Sequence, residues 1–136
     1  MKLTAAESLA RLVANDHGTL STIHPELGIQ AVPVVYAIDG DVVGIPIDTV
    51  KPKNSGTLQR ESNTSADPRA TLLIEHWDRA DWSKLWWARA SLEAIDSPKT
   101  TALADSLATQ FSQYADKPFA RIMTFRIVAT TGWSAT

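Results

Sequence analysis

The chain has 136 residues, 44% of them hydrophobic and 21% charged, with a formal net charge of -2 and no cysteine. This is enough chain for one domain, residues 1–136, with a sizeable core. The near-neutral balance excludes a global attraction to nucleic acid or to an anionic membrane, and the missing cysteines exclude disulfides, thiolate nucleophiles and cysteine zinc sites. No run approaches transmembrane length, and Met1-Lys2-Leu3-Thr4 lacks the apolar core of a signal peptide, so a cytoplasmic protein is expected.

From Thr4 to about Asn15 the pattern predicts a short amphipathic helix. Thr4 and Glu7 have capping-box spacing, and Leu9, Leu12 and Val13 share one face. Thr19 to His24 alternates as a strand, and Pro25-Glu26-Leu27-Gly28 turns the chain, with His24 read as a turn histidine. The segment Ile29–Lys53 organises the rest. Ile29 to Ile38 is a β-branched, nearly all-apolar strand. Asp39-Gly40-Asp41 is a hairpin signal, because glycine accepts positive φ cheaply. Val42 to Asp48 is the return strand. Each strand carries a proline, Pro33 and Pro46, which marks an edge or a break in pairing. Two such breaks suggest a backbone opened for something other than a neighbouring strand. Lys51-Pro52-Lys53 then places paired positive charge beside a marginal helix over Thr57–Asn63, and a helix N-terminus with added lysines suits a phosphate.

After Asp67-Pro68, Arg69 to Trp77 reads as a strand and Asp78-Arg79-Ala80-Asp81 as a charged turn. Trp82 to Ile95 holds three of the five tryptophans within six residues. Trp86 and Trp87 are adjacent, so on a strand they point to opposite faces, and Arg89 shares the face of Trp87. Asp96-Ser97-Pro98 starts a helix to about Ala115 whose stripe Leu103, Leu107, Phe111 and Tyr114 reads as core. Arg121 to Thr130 is the last strand, and Gly132-Trp133 forms a tail apolar enough to dock. The tally is six strands joined mostly by tight turns, with helices at the rim: an α+β, mainly antiparallel β-barrel.

The residues supply no evident catalytic set. His17, His24 and His76 are scattered without metal-ligand spacing, so no metal site is expected. Neither GxGxxG nor a P-loop is present. Catalytic residues stay unknown at this level, and a small barrel without acid, base, nucleophile or metal suggests that a cofactor carries the reactivity.

Leu20-Ser21-Thr22, Gly28, Val32-Pro33-Val34, Asp39-Gly40-Asp41, Lys51-Pro52-Lys53 and Asp67-Pro68-Arg69, in that order, resemble the pyridoxamine 5'-phosphate oxidase-like split-barrel flavoproteins. His76-Trp77, Asp81-Trp82-Ser83, Leu85-Trp86-Trp87-Ala88-Arg89 and Gly132-Trp133-Ser134-Ala135 resemble the branch that depends on the deazaflavin coenzyme F420. The resemblance implies a six-stranded split barrel of the FMN-binding type. It also implies a homodimer with cofactor sites at the subunit interface, and an oxidoreductase that moves a hydride between F420 and a small organic substrate. By the same pattern Ser21, Thr22, Val32, Pro33 and Val34 flank the ring, Lys51 and Lys53 hold the phosphate, and Trp82, Trp87 and Arg89 lie near the ring. Asn54-Ser55-Gly56 stands where many relatives carry a further basic residue, which leaves FMN as the alternative cofactor. A non-catalytic binder of flavin, haem or another tetrapyrrole is the alternative function.

Overall fold

In the computed structural model of the chain, residues 1–49 and 57–136 are described. The first strand β1 (Lys2–Leu3) leads into helix α1 (Ala5–Val13), then β2 (His17–His24), β3 (Gly28–Val35), β4 (Ala37–Asp39) and β5 (Val42–Asp48). Helix α2 (Gln59–Ala66), β6 (Arg69–His76), β7 (Trp86–Ile95), α3 (Thr100–Gln110) and β8 (Phe119–Ser134) follow. All strand pairs are antiparallel, in the order β3-β2-β6-β7-β8-β5-β4, with β1 added to the end of β8. The described strands number eight, not six, and the sheet is not closed: β3 and β4 are its two ends.

Both extra strands have physical causes. The expected strand Ile29–Ile38 is cut at Tyr36. That fully buried ring donates its hydroxyl to the Leu12 carbonyl at 2.6 Å, and the Tyr36 amide donates to Asp16 O at 3.0 Å. The two bonds turn the backbone at the end of α1, so β3 pairs with β2 while β4 crosses to pair with β5. The Asp39-Gly40-Asp41 turn forms as its sequence dictates, with Gly40 at φ +64. The second extra strand is β1, which pairs Lys2 with Trp133 and Leu3 with Gly132. The docking tail is therefore the last part of β8, held between β1 and β7. Gly132 admits no side chain, because a Cβ there would sit 2.8 Å from Ser8 Oγ on α1 and from Trp87 O.

Helix α1 carries its capping box: Thr4 Oγ1 accepts from the Glu7 amide and Glu7 Oε1 accepts from the Thr4 amide, both at 3.1 Å. Its buried side is Ser8 and Leu12, whereas Val13, expected on that face, is exposed. The main core lies inside the curved sheet around Leu20, Val43, Ile45, Leu72 and Phe125. A second core forms under α3 from Ala37, Val42, Leu103, Leu107 and Tyr114, with Phe111 packed against it, so all four residues of the expected stripe contribute. Helix α3 ends at Gln110, and a 3-10 turn over Ser112–Tyr114 brings Tyr114 back to the sheet.

Candidate functional site

The sheet fails to close between β3 and β5. Strand β4 covers Val42–Gly44 of β5 and no further, so among the described residues the later part of β5 has a neighbour on its β8 side only. Among the described residues, strand β3 likewise pairs on its β2 side only. The two unpaired edges bound a cleft of about 360 Å³, lined by Val32, Pro33, Val34 and Val35 from one edge and by Pro46 and Asp48 from the other, with His17, Arg60 and Tyr114. Both prolines thus line one opening. Neither can donate a backbone hydrogen bond, so neither edge offers a full ladder to another strand. The volume falls in the range typical of small-molecule sites.

The polar groups of this seam are partly buried. Asp48 sits just past a register shift between β5 and β8, where Ile47 faces Arg121 but Asp48 faces Phe119. Such irregularities re-aim side chains. Tyr114 donates its hydroxyl to Asp48 Oδ2 at 2.5 Å. Burial first, then that bond and the negative charge of Asp48, hold the phenol above its ordinary range. It is therefore a hydrogen-bond donor at any physiological pH. Arg60 reaches the cleft from α2. Burial pulls its guanidinium below the usual arginine range, against the pull of Glu61, Asp48 and Tyr114, yet it stays charged. Its buried Nε finds no hydrogen-bond partner among the described residues. A desolvated cation with a spare donor is costly unless an anion completes it.

The amides at the N-terminus of α2, expected to cradle a phosphate, face an internal acid. Glu61 Oε1 accepts from the Leu58 amide at 2.9 Å, and the same carboxylate takes a two-pronged bond from Arg121 at 2.7 and 2.8 Å. The Arg121 bonds, chiefly, keep the Glu61 carboxyl below its ordinary value. Lys51 and Lys53 lie outside the described residues. The described residues on either side of them, Asp48 and Leu58, line the seam cleft and a second cleft beside it.

The remaining expected site residues divide into two groups. Val32, Pro33 and Val34 line the seam, and Thr22 and Val32 line the second cleft. Ser21, Trp82, Trp87 and Arg89 line neither. Trp87 and Arg89 share the outer face of β7, with the Arg89 guanidinium 5.1 Å from the Trp87 ring centroid, and Trp87 is paired across the ladder with Trp133. Trp86 points the other way and packs against the core, under the Arg11 guanidinium at 4.7 Å. Trp82 lies in a 3-10 turn, Trp82–Lys84, and is 67% exposed. Ser21 belongs to a row of small uncharged residues, Ala31, Ser21, Thr71, Ser91 and Ala129, that crosses the outer face of five strands. His24 is structural, since its Nδ1 accepts from the Glu26 and Leu27 amides at 3.1 and 3.0 Å. Tyr114 and His17 were not legible as site residues. The two prolines were the available signal, but nothing in the pattern says which distant side chains face the gap they create.

No family model matches the chain, and no curated protein matches it in sequence. The solved structures that share its fold include flavin-binding, pyridoxamine 5'-phosphate oxidase-like and haem-binding proteins. An FAD-binding protein from Mesorhizobium loti is 18% identical, with a TM-score of 0.64 over 97% of this chain and 93% of that one. An FMN-binding protein from Syntrophomonas wolfei is 15% identical, with a TM-score of 0.66 over 96% and 84%. The haem storage protein HutZ from Vibrio cholerae is 10% identical, with a TM-score of 0.62 over 92% and 89%. At these identities the likeness establishes the split-barrel fold alone. Among the described residues no helix is long and apolar enough to cross a membrane, and no cluster of three or more His, Asp or Glu could hold a metal ion.

Proposed function

We propose that this protein binds a flavin nucleotide in the seam between β3 and β5 and works as a flavin-dependent oxidoreductase. The observation that carries the reading is Arg60, a half-buried cation with an unpartnered Nε on the wall of a cleft between two proline-interrupted strand edges. A phosphate would complete it, with Lys51 and Lys53 as further phosphate partners. Val32, Pro33 and Val34 would flank the ring, and Tyr114, its proton donated to Asp48, would leave its oxygen to accept a hydrogen bond from a ring N–H. A bound flavin supplies the hydride acceptor and donor, while the chain's residues bind it, orient it and exclude water. FMN and F420 share a tricyclic ring and a phosphate. Structural neighbours described as FAD- and FMN-binding support the flavin over the deazaflavin.

The reading includes a homodimer. Ser21, Trp87 and Arg89 face away from the seam, on a sheet face that also exposes Leu73, Val128 and Trp133. A flat row of small residues flanked by large apolar ones suits a second copy. That copy would bring its Trp87 and Arg89 toward the first chain's cleft. Light scattering should report twice the chain mass, and a clean monomer would remove these residues from the site.

One observation favours a second reading, a haem or tetrapyrrole carrier: His17 lines the seam, where an imidazole would supply the axial ligand a haem needs. Parallel titrations of the purified protein with FMN, F420 and haem separate the readings. Tight FMN binding with a shifted flavin spectrum supports the first. A sharp Soret band that His17→Ala abolishes, with no flavin bound, supports the second. F420 binding without FMN binding would return the cofactor to the deazaflavin.

A further inference from the structure

The second cleft, about 340 Å³, meets the seam at Val32 and Arg60, which line both. Its polar wall is a chain of three amides. Asn63, 1% exposed, sits at the centre. Its Nδ2 donates to Thr22 Oγ1 at 3.0 Å and to Gln30 Oε1 at 2.9 Å, and its Oδ1 accepts from Gln59 Nε2 at 2.9 Å. Gln30 Nε2 and Gln59 Oε1 make no further hydrogen bond among the described residues, although both side chains line the cleft. One free end is a donor and the other an acceptor. This complementarity does not depend on how the amides are oriented. Turning all three over keeps every bond, with the Thr22 hydroxyl now donating, and merely exchanges the two ends. A central asparagine has one donor and one acceptor side, so it always leaves one glutamine of each kind.

We propose that this cleft binds a flat heterocycle through a lactam edge, an N–H beside a C=O, read by Gln30 and Gln59. Asn63 is the positioning residue that keeps the two glutamines complementary. Ala31, Val32 and Leu58 supply apolar surface for the ring. The edge has two possible sources: the pyrimidine end of the flavin proposed for the seam, in which case the inference rests on that reading, or a separate substrate carrying the same group.

The test uses lumichrome, a flavin-like ring without side chain or phosphate, and its 1,3-dimethyl derivative, which lacks the N–H donors. Fluorescence titration of the wild-type protein should show the dimethyl compound binding about tenfold more weakly, the scale of one neutral hydrogen bond with its partner left buried. Asn63→Asp supplies two acceptors, so both glutamines must donate inward and both present oxygen to the cleft. That variant should lose about tenfold in lumichrome affinity and bind 2-aminobenzimidazole, whose ring N–H and amino group are adjacent donors, more tightly than the wild type does. A merely structural role for Asn63 would weaken all ligands alike. If Asn63→Asp does not fold, Gln59→Leu, at an exposed position, should weaken lumichrome binding about tenfold, because it removes one of the two bonds to the lactam edge in either orientation of the amides. Equal binding of the two compounds to the wild type overturns the proposal, as does an Asn63→Asp or Gln59→Leu variant that keeps the wild-type lumichrome affinity. Competition identifies the source: displacement of lumichrome by FMN points to the flavin's own ring, and lumichrome binding to FMN-loaded protein points to a separate substrate. If FMN binds no more tightly than lumichrome, the phosphate reading fails while the lactam preference stands.

Discussion

The closed wall of the sheet and its open seam are built by opposite rules. Strands β2, β6, β7 and β8 contain no proline, and each is hydrogen-bonded on both sides over much of its length. Their inner positions are apolar and mostly small or aliphatic: Leu20, Leu72, Ala88, Ala90 and Leu92 are all buried, with Phe125 as a buried aromatic. At the seam, β3 and β5 each hold a proline and each lacks a partner on one side, and the side chains between them are Asp48, Arg60 and Tyr114. One half has its backbone and its inner side chains used within the chain. The other keeps a charged donor unfilled. A protein whose stability and binding draw on different halves should allow each to be damaged separately.

The sharpest break of that contrast is in the wall. Leu72 is fully buried at the centre of the main core. Leu72→Ala should cost about 2–5 kcal/mol of stability, read by chemical denaturation, and should leave FMN affinity within a few-fold at a temperature where the variant is folded. Equal losses of both would show that the two halves are not separable. Changing Lys51 and Lys53 together to Ala should do the reverse. At roughly 1.5–3 kcal/mol per charge-assisted bond to phosphate, FMN affinity should fall about a hundredfold with the melting temperature nearly unchanged. Unchanged affinity would leave the lysines as ordinary solvated residues. Arg60→Met tests the seam from within. Cofactor affinity should drop about tenfold or more, while the apo-protein should be as stable as the wild type or more so, since a half-buried cation is removed. A clear destabilisation of the apo form would mark Arg60 as structural.

The smallest effect concerns Glu61, which ties α2 to β8 through Arg121. Its carboxyl is held below the ordinary value of 4.5, so it contributes stability that is fully present above that value and is lost as the pH falls through the lower, folded one. Melting temperatures measured from pH 6 down to pH 3 should therefore fall less in Glu61→Gln than in the wild type. Parallel curves would show that the pair with Arg121 is too well hydrated to matter.

What was legible in the sequence follows the same division. Local signals gave the Thr4–Glu7 cap, the Asp39-Gly40-Asp41 hairpin, the opposite faces of Trp86 and Trp87, and the core stripe on α3, because each depends on residues a few positions apart. The break at Tyr36 depends on a bond to Leu12, and the strand β1 on pairing with Trp133, so both needed the tertiary structure. Tyr114 shows the limit most clearly. Its spacing made it a core residue, and its ring is one, yet its hydroxyl reaches Asp48 across 66 positions of chain to face the cleft. Periodicity places a ring on a helix face but carries no information about where the far end of that ring arrives.

Strand β8 has a consequence for how the molecule is made. It is the last strand in chain order, yet it lies between β7 and β5, and its end also holds β1. Strands β2, β3, β6 and β7 can pair with one another as soon as they have been synthesised. The β4–β5 hairpin can join them through the ladder only when β8 is available, so the seam is the last feature to exist. Until then, one edge of β7 and one edge of β5 are unprotected templates for other chains. Long-range pairing of this kind makes folding slow, on the order of milliseconds to seconds. Expression of this protein should therefore be limited less by the stability of the finished sheet than by the time those two edges wait for their common partner.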